Sequence, residues 1–225
     1  LLLDTGTIET PSFFKIGGVE QEVPSSDKSL IDTVLEADTE RARLLKETEF
    51  CEDAEKITHI YQRLYDIEAY SAEARASAIL SGLGFDNEAQ KRPCHEFSGG
   101  WRMRVALGAV LFSKPDLLLL DEPTNYLDLE GTIWLENYLV TYPHTVLVIS
   151  HDRNILNNCV NSILHLEDKN LTYYSGNYEK FAETRIALLD SKLSEIKKQD
   201  KNKKRKNRKK KTGKKRGKNH PKKQQ

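Results

Sequence analysis

Two short stretches hold residue types that could do chemistry. In the first, Phe97-Ser98-Gly99-Gly100-Trp101 opens a helix-like run in which Trp101, Val105, Ala109 and Phe112 recur three or four apart, closed off before Pro115. Ser98 has the character of an N-cap, and two glycines let the backbone come close to a ligand. Free N–H groups at a helix start, together with the helix dipole, attract phosphate. In the second stretch, four leucines, Leu117 to Leu120, lead into Asp121-Glu122-Pro123-Thr124-Asn125-Tyr126-Leu127-Asp128. Such an unbroken apolar run predicts a strand buried on both faces, as in a parallel sheet. The strand delivers Asp121 and Glu122 at its carboxyl end, where open α/β sheets place their ligands. An anion-attracting helix start followed by a strand ending in two acids points to nucleotide chemistry.

The surrounding chain must supply elements that hold these groups. Residues 1–10 read as a turn at Asp4-Thr5-Gly6 entering a short strand, and Phe13 to Glu22 as a further strand. From Ser29 to about Leu80 the sequence is charged and helical. Leu30, Val34 and Leu35, then Leu44, Leu45, Ile57, Ile60, Tyr61, Leu64 and Tyr65, keep an approximate helical stripe. Acids and bases alternate around it, as on exposed helices with i,i+4 pairing. Thr145 to Ser150 is a strand that His151 follows. Ser162 to Glu167 and Leu171 to Tyr174 form a hairpin around Asp168-Lys169-Asn170, and Gly176-Asn177 suits a tight bend. Tyr173, Tyr174 and Tyr178 read as packing residues, and a helix is predicted from Glu179 to about Lys198.

Composition narrows the class. No run reaches the roughly 18 apolar residues that a membrane-spanning helix requires. Leu1-Leu2-Leu3 lacks the basic lead of a signal peptide. Cys51, Cys94 and Cys159 are odd in number and widely separated, with neither a metal spacing nor a disulfide framework, which fits a reducing, cytoplasmic setting. The formal net charge of +1 conceals a split. Residues 197–225 carry 17 Lys and Arg against one acid, Asp200, a net of +16; residues 1–196 carry 18 against 33, a net of −15. A tail this basic and without an apolar stripe is expected to be disordered and to attract phosphate backbones such as RNA, with an affinity that falls steeply with salt.

The run FSGGWRMRVALGAVLFSKPDLLLLDEPTNYLDLE closely resembles the signature motif, Walker B and D-loop of ATP-binding cassette (ABC) ATPases. Trp101, where transport cassettes more often carry Gln, resembles the ABC-F subfamily, whose members carry two cassettes and in many cases associate with ribosomes as translation factors. The resemblance implies an α/β fold: a partial ABC ATPase cassette over residues 1–188, a mixed sheet with flanking helices. It implies an α-helical insertion at about 29–80, with an arm at roughly Thr39 to Ile67. Residues 189–225 then form a linker-like helix start and the disordered basic tail. The arm is acid-rich, so no RNA-binding surface is read into it.

The same resemblance assigns roles. Asp121 would hold the Mg2+ that accompanies ATP, and Glu122 would polarise the water that attacks the γ-phosphate. His151 matches the switch histidine that touches that phosphate, and Gln21 the Q-loop glutamine that reaches Mg2+ and the water. Ser98, Gly99 and Gly100 would close over a nucleotide held by a second cassette, and Asp128, in the D-loop, would lie across that interface. A Walker A loop, G-x-x-x-x-G-K-[ST], does not occur in the sequence. Gly213 to Lys218 is a decoy, with glycines one residue too close and Asn219 in place of the hydroxyl. The family pattern places the true loop upstream of Leu1, so the chain looks like an internal piece truncated at its N-terminus. The basic tail departs from the family's linker and has the composition of an out-of-frame reading of adenine-rich codons. Two other readings stay open: the ATPase subunit of an ABC transporter, and a non-catalytic remnant lacking its P-loop.

Overall fold

Three parallel strands form the sheet that carries the candidate site, in the order β1 (Ile16–Gly18), β2 (Leu117–Asp121), β3 (Thr145–Ile149). The computed structural model describes residues 6–7, 9–19 and 25–216, with the backbone alone from residue 199 onward. It divides into two compact units, Leu1–Cys159 and Val160–Gln225.

In the first unit, β2 is central, with Leu118 opposite both Gly17 and Val146. Leu118 and Leu120 point into the main core, where they meet α5 (Gly99–Ser113) and α6 (Leu129–Val140). The expectation of burial on both faces holds for one face only. Leu117 and Leu119 are half-buried, and on β3 Leu147 and Ile149 are 45% and 59% exposed. The described helices cover the opposite side. The strand expected over residues 13–22 is confined to Ile16–Gly18, and residues 20–24, including Gln21, lie outside the described residues, as do residues 1–5 and 8.

The charged helical region resolves into α1 (Leu30–Glu36), α2 (Thr39–Phe50), α3 (Ala54–Asp66) and α4 (Ala72–Gly82). Ser29, Asp38 and Asp53 each accept amide hydrogen bonds at a helix start, which fixes where α1, α2 and α3 begin. Helices α1 and α4 pack on α5 in the main core. By contrast α2 and α3 pair as a hairpin over a small core of Leu44, Ile60, Leu64 and Ala69. Arg63 Nε donates to Glu40 Oε1 across the pair at 2.7 Å, and this bond holds the Glu40 carboxyl below its usual range. Residues 39–66 therefore form one helical hairpin. Helix α5 ends where Lys114 turns left-handed (φ 45°) before Pro115.

The second unit contains β4 (Ser162–Glu167) antiparallel to β5 (Asn170–Ser175), turned by Asp168 and Lys169 with φ of 50° and 62°, the pattern of a two-residue hairpin turn. Tyr174 and Phe181 meet edge to face, and Arg185 pairs with Glu167, which ties α8 to the hairpin. The helix α8 runs from Tyr178 to Arg216, well past the end expected near Lys198 and into the segment read as disordered. Lys and Arg are good helix formers and no proline interrupts residues 178–216, so backbone propensity carries the helix where packing cannot. Residues 217–225 lie outside the described residues. No helix among the described residues is long and apolar enough to cross a membrane.

Gly82, the last residue of α4, faces the Trp134 indole of α6, and a Cβ there would overlap the ring. Gly82→Ala must displace Trp134 and is expected to lower stability by about 1–3 kcal/mol. Urea unfolding followed by tryptophan fluorescence measures it. An unchanged midpoint would contradict this packing.

Candidate functional site

The parallel register sets Asp121 opposite Ile149, so the residues just past each strand end emerge side by side. Immediately after β2 the backbone of Glu122 turns left-handed (φ 46°), and its N–H donates to the Ile149 carbonyl at 2.8 Å. That conformation costs a non-glycine residue about 1–2 kcal/mol, and the bond to β3 together with the turns Asn125 N to Glu122 O and Leu127 N to Thr124 O hold it. Beyond β3, the Asp152 amide donates to Ser150 Oγ, and Asp152 caps α7 (Arg153–Asn158) through the Asn154 amide. This bend presents His151.

The two sides meet directly. His151 Nδ1 lies 2.6 Å from Glu122 Oε1; the histidine side chain is 80% exposed and the glutamate 23%. The other carboxylate oxygen, Glu122 Oε2, is buried and has no hydrogen-bond partner among the described residues. Asp121 is exposed at the tip of β2. A cavity of about 440 Å3 opens beside these acids, lined among others by Val19, Met103, Leu107 and Asn125. Among the described residues no group of three or more His, Cys, Asp or Glu could hold a metal ion.

Ser98, Gly99 and Gly100 do not line that cavity, although Gly100 faces the Tyr126 ring, which does. Ser98 takes the extended N-cap conformation (φ −64°, ψ 163°) and its carbonyl accepts the Arg102 amide, but its hydroxyl caps nothing, contrary to the sequence reading. That hydroxyl is exposed, and no atom would meet a Cβ placed on Gly99. Asp128 is the N-cap of α6: its Oδ1 accepts the Gly131 amide at 2.9 Å and its Oδ2 accepts Arg104 NH1 at 2.9 Å. The Gly131 amide, then the guanidinium, hold its carboxyl below the ordinary 3.8. Gln21 lies outside the described residues, while Val19, two residues before it, borders the cavity.

Sequence reasoning missed Arg104. It is only 9% exposed, and besides Asp128 it donates to the Leu83 carbonyl (3.1 Å) and the Tyr126 carbonyl (2.6 Å). Its guanidinium carbon sits 4.2 Å from the centre of the Trp101 ring, which packs edge-on against Phe85. One side chain thus joins the glycine-opened start of α5 to the turn that leads into α6. The available clue was an arginine three residues after Trp101, at the point where the helix turns apolar from Val105 onward.

These features define a nucleotide-binding cassette, and comparison with known proteins agrees. A family model described as ABC transporter matches residues 15–125. The chain is 44% identical over 209 residues to ATP-binding cassette sub-family F member 3 of Mus musculus, covering 88% of this chain and 30% of that protein. It is 44% identical over 190 residues to sub-family F member 2 of Bos taurus, covering 83% of this chain and 30% of that protein. It therefore spans about a third of the length of the relatives it matches. A solved structure of an RNase-L Inhibitor superposes with a TM-score of 0.53 at 20% identity, covering 82% of this chain and 32% of that one, and supports the fold. The chain belongs to the ATP-binding cassette proteins, within sub-family F.

Replacing Arg104 by Met leaves two backbone carbonyls and Asp128 without their donor, at a cost of about 1–3 kcal/mol. A carboxyl held low in the folded state adds stability above its unfolded value of 3.8, and that stability is lost as pH falls through the lower folded value. Arg104→Met should therefore flatten the dependence of unfolding free energy on pH in the acid range below about 4. An unchanged acid slope in denaturant melts would contradict the assigned pairing.

Proposed function

We propose that the chain supplies the hydrolytic residues of an ATP site in a cassette protein that acts on the ribosome. The observation that carries the chemistry is the Glu122–His151 pair beside the cavity, with Glu122 Oε2 buried and unpartnered among the described residues. A carboxylate so placed can accept a proton of a water and orient it, which is the positioning that phosphoryl transfer demands. In this reading His151 contacts the γ-phosphate. Asp121 would hold the Mg2+ that accompanies ATP, since a hard cation prefers carboxylate oxygen and takes only one or two protein carboxylates. Gln21 would supply a further oxygen to the same ion.

Ser98, Gly99, Gly100 and Asp128 serve a nucleotide on a second cassette. The uncommitted Ser98 hydroxyl and the open space at Gly99 support that assignment. The 44% relatives are sub-family F proteins, which favours this reading over a transporter subunit. Residues 1–188 then act as the cassette, and residues 189–225 as a linker-like helix start followed by a basic tail whose charge attracts ribosomal RNA.

No phosphate loop with the Walker A pattern occurs within the 225 residues. The chain alone should therefore hold Mg-ATP no better than about 1 mM. Joined to a segment bearing G-x-x-x-x-G-K-[ST] and paired with a second cassette, it should bind at micromolar levels and hydrolyse ATP. Glu122→Gln should then cut turnover by about 10²–10⁴-fold, with affinity preserved. Calorimetry and phosphate release measure both. Micromolar binding by the chain alone, or full turnover in Glu122→Gln, would overturn the proposal.

A further inference from the structure

We propose that the groove on the α2–α3 hairpin docks a short acidic peptide segment carrying one apolar anchor residue. The groove has a volume of about 590 Å3, and its lining includes Arg43, Lys46, Phe50, Cys51, Lys56 and Ile60. Its floor is apolar: Ile60 belongs to the small hairpin core, and Phe50 stands 74% exposed at the end of α2. Exposure of so large a ring beside a hollow gives an incoming apolar side chain a contact surface.

The rim is cationic. Lys46 forms no ion pair among the described residues. Arg43 and Lys56 reach Glu47 and Asp53 only at 3.8 and 4.0 Å, as solvent-exposed pairs that contribute little. These cations are available to carboxylates arriving from outside. A long polyanion fits less well, because residues 39–67 hold seven acids against five bases and Glu47 itself faces the groove. A nucleic-acid strand laid along the hairpin would meet net negative charge, whereas a few carboxylates flanking one Leu or Trp match the local cations and the floor. Because α2 and α3 are held by their own core and by Arg63–Glu40, the groove is formed before a ligand arrives, which lowers the entropic cost of binding. The proposal is independent of the ATP site.

Cys51 provides a readout at the groove itself. Of the other cysteines, Cys94 is buried, and burial pushes the Cys159 thiol up to about 11, which keeps it protonated and slow to react. In the full chain at about 0.15 M salt, a Glu-rich peptide with a central Trp should slow alkylation of Cys51 by about tenfold or more, as mapped by mass spectrometry. The rate at Cys159 should not change. Protection should disappear when the Trp of the peptide is Ser, and in the double substitution Lys46→Glu, Phe50→Ser, both at exposed positions, with an unaltered melting temperature. Absence of protection, protection that survives either change, or equal protection by an RNA oligonucleotide would overturn the assignment.

Discussion

Parallel pairing of β2 with β3 decides whether this molecule has a site at all. Opposition of Asp121 and Ile149 lets the Glu122 amide bond to Ile149 and leaves a short excursion from β3 to His151. Side chains alternate faces along a strand, so a slip of one residue would send Leu118 and Leu120 out of the core and carry the acids away from the histidine. Full burial of Leu118 makes such a slip costly, at about 25 cal/mol for each Å2 of apolar area returned to water. The core that stabilises the sheet is thus what positions the chemistry.

Helix α5 ties that core to the glycine-opened turn. Its buried face, through Val105, Gly108 and Leu111, packs on α4 and the sheet, while its first turn stays open at Ser98 and Gly99. Arg104 sits between these regions: besides its stack on Trp101, it fastens the helix to the turn ahead of α6 by two hydrogen bonds, to Tyr126 and Asp128, and to the end of α4 by a third, to the Leu83 carbonyl. The glycine-opened helix and the turn after β2 are therefore bound to one another through the Tyr126 carbonyl and the Asp128 carboxylate.

Much of this was legible in the residues. The leucine strand, the helix closed before Pro115, the acids at the strand tip and the histidine after Thr145 to Ser150 all follow from local pattern, as does the helical character of residues 30–80. What escaped was non-local or balanced by a competing effect. Arg104 is defined by carbonyls 21 and 22 residues away along the chain, which no periodicity reveals. The Ser98 hydroxyl has the residue type of a cap but bonds to none of the amides it faces. The full length of α8, to Arg216, is hidden because its basic end has no apolar stripe, whereas the helix propensity of Lys and Arg favours continuation. Half-burial of Leu119 beside exposed Leu147 depends on which elements cover the sheet, a property that a strand's own sequence does not contain.

The contact between Glu122 and His151 is the most direct point at which to test this account. Long-range 1H–15N correlation spectra of the full chain report which imidazole nitrogen of His151 carries the proton, and replacing His151 identifies its signals. At pH values where the imidazole is neutral, the account predicts the proton on Nδ1, directed at the carboxylate, and its loss from that nitrogen when Glu122 becomes Ala. A His151 ring protonated mainly at Nε2, with a spectrum indifferent to Glu122, would mean that the ends of the two strands do not meet as described.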